Sequence, residues 1–170
     1  MAAILVAFAS KYGSTREIAE KIATVLGEKG MKTDVSPVNK TDSLQGYDAI
    51  VLGSGVYMGL WRRDAVNFLK KYTRELTDKR VWLFSSGPTG EGDPLDLLNG
   101  WTFPKGLLAI AEQIKPIDYA VFGGNVNEEK LSWFHKWIIH KVKAPVGDYR
   151  NWPAVTAWAS DIASFWKNRQ

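Results

Sequence analysis

The sequence contains no cysteine and only two histidines in 170 residues. Lack of cysteine rules out a disulfide framework, a thiolate nucleophile, a cysteine-ligated cluster and a zinc knuckle. The histidines, His135 and His140, stand five apart and so about 140° from one another around a helix, which does not pair them on a metal. No metal site is expected. No apolar run approaches the ~20 residues that cross a bilayer, and the opening MAAILVAFAS has no basic segment ahead of its apolar one, as a secretory leader would. A cytoplasmic protein is therefore expected. Neither GxxxxGK[ST] nor a GxGxxG after the first apolar run is present, which removes the standard ATP- and NAD-binding signatures. There is also no acidic cluster where the first apolar run ends; Ser10 and Lys11 stand where carboxylates would be needed for Mg²⁺.

What is present describes one ordinary globular domain over residues 1–170, 45% hydrophobic and 24% charged, with no internal repeat or linker. Residues 3–9 (AILVAFA) form a short unbroken apolar run of the kind buried on both faces of a parallel sheet. From 15 to 29, Ile18, Ala19, Ile22, Val25 and Leu26 recur at helical spacing, with Gly30 as the stop. Residues 32–38 read as a peripheral strand, because Pro37 denies a ladder hydrogen bond. Further strands are expected at 48–53, 80–85 and 119–123, and helices at 62–72, 104–113 and 155–166. Alternation of this kind predicts a five-stranded parallel sheet with helices on both faces, since right-handed crossovers place them there.

In such a sheet, ligands bind beyond the carboxyl ends of the strands, where the strand order reverses. Three of those exits have unusual chemistry. The first, SKYGSTRE, offers the hydroxyls of Ser10, Ser14 and Thr15, backbone around Gly13 and a helix N-terminus, which together suit a phosphate monoester. The competing reading is that Ser14 or Thr15 merely caps the helix. The second exit, GSGVYMGLW, and the third, SSGPTGEGDP, supply glycines that admit close backbone approach, while Tyr57, Met58 and Trp61 offer ring-covering surface. Tyr57 and Trp61 are each also readable as plain packing residues. A phosphate cradle beside two ring-holding loops describes a flavin mononucleotide site.

The strand VAFAS followed by KYGSTREIAEKI resembles the phosphate-loop signature of the flavodoxin-like superfamily, with Ala7 where a larger apolar residue is more usual. The resemblance implies a three-layer sandwich with strand order 2-1-3-4-5 and FMN at the switch between the first and third strands. It implies phosphate contacts from Ser10, Lys11, Tyr12, Gly13, Ser14 and Thr15. It implies a ring held by Ser54, Gly55, Val56, Tyr57, Met58, Gly59 and Trp61 on one side and by Ser85, Ser86, Gly87, Pro88, Thr89 and Gly90 on the other. Electron transfer would belong to the flavin, so no catalytic side chain is named. The segments YDAIVLGSGVYMGLWRRDAVNFLKKY and WFHKWIIHKVKAPVGDYRNWPAVTAWASDIASF look closest to the menaquinone-dependent protoporphyrinogen dehydrogenase branch, while the glycine- and proline-rich third exit departs from it. Expected partners are a redox protein or a small-molecule or quinone acceptor. A flavodoxin-type electron carrier without its own substrate, and a non-catalytic binding module, are the alternatives.

The formal charge is +4, unlike the acidity typical of carrier flavodoxins. The lysines and arginines are scattered without a recognised motif, so no nucleic acid partner is expected. Residues 130–143 (KLSWFHKWIIHKVK) hold Lys130, Lys136, Lys141 and Lys143, two tryptophans and no acid. On a helical wheel Leu131, Phe134, Ile138 and Val142 fall together beside Trp133 and Trp137, with Ser132, His135, Lys136, His140 and Lys143 facing away. Such a segment either packs on the domain or makes peripheral contact with a membrane or partner.

Overall fold

The computed structural model describes residues 1–168. Strand β1 (Ala3–Ala9) is followed by helix α1 (Ser14–Glu28), β2 (Lys32–Pro37), β3 (Ala49–Tyr57), β4 (Leu60–Trp61) and α2 (Arg63–Leu76). The chain continues through β5 (Arg80–Ser86), α3 (Pro94–Leu97), α4 (Leu108–Ile114), β6 (Asp118–Phe122) and β7 (Asn125–Val126). It ends with α5 (Trp133–Val142), β8 (Gly147–Asp148) and α6 (Trp152–Lys167). The central sheet runs β2-β1-β3-β5-β6 with every neighbour parallel. Counting those five alone, the order is 2-1-3-4-5, and the reversal falls between β1 and β3.

Strand alternation divides the core in two. Ile4, Val6 and Phe8 of β1 pack with Val51, Trp82 and Phe84 under α1 and α6. Leu5, Ala7 and Ala9 point the other way and meet Leu52, Leu83, Phe68 and Leu69 under α2 and α4. Each fully buried aliphatic side chain here contributes roughly 1.5–3 kcal/mol of burial free energy. Small Ala7 is completely buried against that second helical layer.

Local results differ from the periodicity in several places; the helix expected at 104–113, for one, is a 3-10 turn at Lys105–Leu107 followed by α4. Strand β3 runs four residues past Gly53, because Ser54 and Gly55 continue the ladder opposite Ser85 and Ser86. It then turns back on itself: Met58 and Gly59 have φ of 51° and 74°, the two left-handed residues of a two-residue hairpin closed by Tyr57 opposite Leu60. Helix α6 starts three residues earlier than expected, where the Asn151 side chain accepts from the Ala154 N–H and Pro153 fits the first turn. The largest addition is an excursion over residues 124–148, in which β7 and β8 form a separate antiparallel pair and carry α5 between them.

Candidate functional site

The β1–α1 turn is built around Gly13, whose φ of 95° lies in the left-handed region that favours glycine. Gly13 is also the N-cap of α1, and no side chain caps the helix. The Ser10 hydroxyl accepts from the Gly13 N–H at 3.0 Å, and the Ser14 hydroxyl reaches across the site to accept from the Asn125 N–H at 3.2 Å. Thr15 is buried inside the first turn. Neither Ser14 nor Thr15 acts as a cap, so the helix N-terminus faces the site without a side chain of its own across it.

A cavity of about 180 Å³ lies beyond the carboxyl ends of β1, β3, β5 and β6. Ser10, Tyr12, Ser14 and Thr15 line it from the first exit, Gly55, Val56 and Tyr57 from the end of β3, and Ser86 and Gly87 from β5. Gly87 sits where backbone must come close: a Cβ there would stand 3.0 Å from the Val56 carbonyl oxygen and 3.1 Å from its Cβ. Burial pushes the Tyr57 phenol pKa up, so it stays a neutral hydroxyl on the cavity wall.

The other anticipated residues lie elsewhere. Lys11 and Gly13 border a shallow cleft outside the cavity, with Arg16 and Lys130. Ser54 is wholly buried and accepts from the Arg62 N–H, fixing the hairpin base. Met58 and Gly59 occupy the hairpin tip, with Met58 fully exposed. Trp61 packs into the opposite core, edge-on to Phe103, and its indole N–H donates to Ser85 at 2.8 Å. Pro88, Thr89 and Gly90 continue the β5 exit without lining the cavity; the Pro88 carbonyl accepts from the Gly124 N–H at 2.8 Å.

Two groups of lining residues were not anticipated. Gly124, Asn125, Val126 and Asn127 close the cavity from the fourth strand exit, and His135, Ile138 and Ile139 cover it from α5. The pair Gly123–Gly124 at the end of an apolar strand was a readable signal. A Cβ at Gly123 would overlap the Tyr149 carbonyl oxygen at 2.1 Å, and one at Gly124 would lie 2.9 Å from the Gly87 carbonyl oxygen.

Helix α5 lies rotated from the wheel reading. His135 and Ile139, expected outside and at a break in the polar face, point inward with Ile138, while Phe134 and Val142 are 49% and 64% exposed. The cause is specific polar anchoring. Lys11 Nζ lies 2.9 Å from His135 Nε2, and Tyr12 and Ser132 hydroxyls lie 3.0 and 2.6 Å from Nδ1. An ammonium only donates, so Nε2 accepts and the neutral ring carries its proton on Nδ1. Burial, then the Lys11 charge, holds the His135 pKa below the ordinary histidine range.

Glu17 also reaches the cavity, but its charge is compensated by a direct ion pair with Arg150. Arg150 is 5% exposed in its side chain and pairs with Asp148 at 2.6 Å as well, over the face of Trp152. The arrangement thus offers hydroxyls and a helix N-terminus at one end and a mixed apolar and peptide-lined slot at the other. Those are the donors a phosphate needs and the walls a flat ring needs.

A family model described as "Flavodoxin domain" matches residues 5–151. Protoporphyrinogen IX dehydrogenase [quinone] of Escherichia coli strain K12 is 24% identical over 170 residues, covering 94% of this chain and 93% of that protein. Among solved structures, a flavodoxin from the domain Archaea superposes with a TM-score of 0.61 at 15% identity, over 97% of this chain and 99% of that one. The flavodoxin, WrbA-like protein from Agrobacterium tumefaciens superposes with the same TM-score at 16% identity, over the whole of both chains. Among the described residues no helix is long and apolar enough to cross a membrane.

Proposed function

The chain belongs to the flavodoxin domain family, and from that premise we propose that the cavity holds FMN noncovalently and that the protein is an oxidoreductase working through it. The supporting observation is the uncapped start of α1, ringed by Ser10, Ser14 and Thr15 at the strand-order reversal. These residues would hold the phosphate, and the backbone of Gly55 and Gly87 with the Tyr57 side chain would border the ring. When bound, FMN supplies the electron-accepting and electron-donating chemistry. The chain contributes orientation, peptide donors and exclusion of water, with α5 as the outer wall.

The experiment is a titration of the purified apoprotein with FMN, read by quenching of flavin fluorescence and by absorbance near ~450 nm. Ser14→Glu places a carboxylate at the helix N-terminus, where it repels a phosphate dianion; a loss of at least about tenfold in FMN affinity is expected, with riboflavin affinity little changed. Equal loss for both ligands, or no binding by the parent, overturns the reading.

A narrower proposal is oxidation of protoporphyrinogen with a quinone as acceptor, motivated by the relative that carries that name and by the apolar α5 wall of Ile138 and Ile139. Anaerobic turnover of protoporphyrinogen with a menaquinone analogue tests it. Turnover of the flavin by a reducing partner without any turnover of the porphyrinogen would leave a flavodoxin-type carrier as the function.

A further inference from the structure

We propose that the outer face of α5 docks on a bilayer containing anionic lipid. Because His135, Ile138 and Ile139 are committed to the cavity, the opposite face carries Trp133, 81% exposed, and Trp137, 54% exposed, at its centre. Phe134 stacks on Trp137 on one flank, and Lys141 lies with its ammonium 4.7 Å from the Trp137 ring centre. Lys136, His140 and Lys143 occupy the other flank. A helix lying in the plane of a membrane interface has this layout: aromatic rings at headgroup depth, cations reaching lipid phosphates on both sides.

Charge selects the occupant. Lys136, Lys141 and Lys143 flank this face, and residues 133–143 contain no acid, whereas Lys130 lies ahead of the helix and borders the cavity side. Glu128 and Glu129 precede the stretch, and Glu128 lies 3.5 Å from His140. The face thus presents three lysines around two exposed tryptophans with no acid on the helix itself, which an anionic surface attracts. A second copy of the same face would set lysines against lysines, so self-association through it is disfavoured. The surface lies on the far side of α5 from the cavity, so its occupant can be tested separately from the cofactor.

The test is sedimentation of the FMN-titrated 170-residue chain with sucrose-loaded vesicles of phosphatidylcholine alone or with about 30% phosphatidylglycerol, the probe composition chosen for its charge. Binding to the anionic vesicles that weakens steeply between low and physiological salt is expected, with little binding to phosphatidylcholine alone. Neutralising K136Q/K141Q/K143Q should weaken anionic-vesicle partition on the order of a hundredfold, and W133S/W137S by about tenfold or more. Unchanged FMN affinity and far-ultraviolet circular dichroism in both variants show that fold and cofactor site survive. Equal partition to both vesicle types, or partition untouched by either variant, overturns the proposal. So does a concentration-dependent dimer abolished by W133S/W137S in a protein that ignores vesicles, which would make the face a contact between copies. A variant that loses FMN binding is replaced by single substitutions at Trp133 and Lys141, both on the outward side.

Discussion

Single positions here carry more of the architecture than their chemistry suggests. Gly53 begins the glycine-rich β3 exit, yet its glycine is required by packing: a Cβ would stand 1.9 Å from the ring of Phe84, itself buried among Phe122 and Trp158. Gly53→Ala should destabilise the fold by about 3 kcal/mol through overpacking, measured as a shift in the urea midpoint at unchanged slope; parental stability would show that Phe84 can move aside. His135 makes a different prediction. Its folded pKa is lowered, so between that value and the ordinary histidine value near ~6.5 the unfolded segment binds more protons than the folded one. The stability of the α5 anchorage therefore rises with pH across this window and is lost as pH falls, because a protonated ring cannot accept from Lys11. Protection factors of the α5 amides, taken relative to the intrinsic exchange rate at each pH, should fall from pH 7.5 to pH 5.5, and His135→Gln should remove that fall. Identical behaviour of parent and variant would dismiss the imidazole as the cause.

At the scale of elements, the excursion over 124–148 is joined to the domain by few and mostly polar ties. Arg150 is the principal one, joining the end of β8 to the first turn of α1 through Asp148 and Glu17. Both carboxylates are nearly half exposed, so solvent screens the pairs, while the guanidinium itself is nearly enclosed. Arg150→Met should cost about 1–2 kcal/mol, less than a fully buried pair would, and should weaken FMN binding by leaving Glu17 uncompensated beside the phosphate end. Thermal unfolding and the FMN titration read the two effects. The Arg150 guanidinium also holds the Asp148 carboxyl below the usual carboxylate range. That tie is therefore complete above the ordinary carboxylate pKa and fades only as pH falls through the lowered one. The regular elements were legible because their signals are local: β1 was readable to the residue, and α1 and the strand at 80 to within one. The end of β3 was not, since Ser54 and Gly55 look like loop and become strand only by pairing with β5.

For the molecule as a whole, stability is unevenly distributed. The sheet and its two helical layers hold side chains such as Ile22, Leu52 and Leu83 that are essentially inaccessible, whereas α5 has no fully buried residue. The excursion should therefore open by itself, without unfolding the sheet. Native-state hydrogen exchange should show amides of residues 125–148 exchanging at least about a hundredfold faster than those of β1 and β3, with FMN slowing the former more. Uniform protection across both regions would contradict this division.

The strand–helix alternation and the Gly13 turn with its neighbouring hydroxyls follow from the sequence alone, because each is decided within a few residues of chain, whereas the strand order was implied by the resemblance of the first turn to a known signature and is fixed by long-range pairing. Half of the cavity wall was equally legible, at Ser10, Tyr12, Ser14, Thr15, Gly55, Val56, Tyr57, Ser86 and Gly87. Only the tertiary structure decided that Trp61 turns into the core, that Met58 stands at a hairpin tip, and which side of α5 faces inward. A helical wheel sorts side chains by hydrophobicity, but α5 is oriented by hydrogen bonds from His135 to residues more than a hundred positions away. Such long-range pairing has no local pattern to betray it, and here it turns the tryptophans outward.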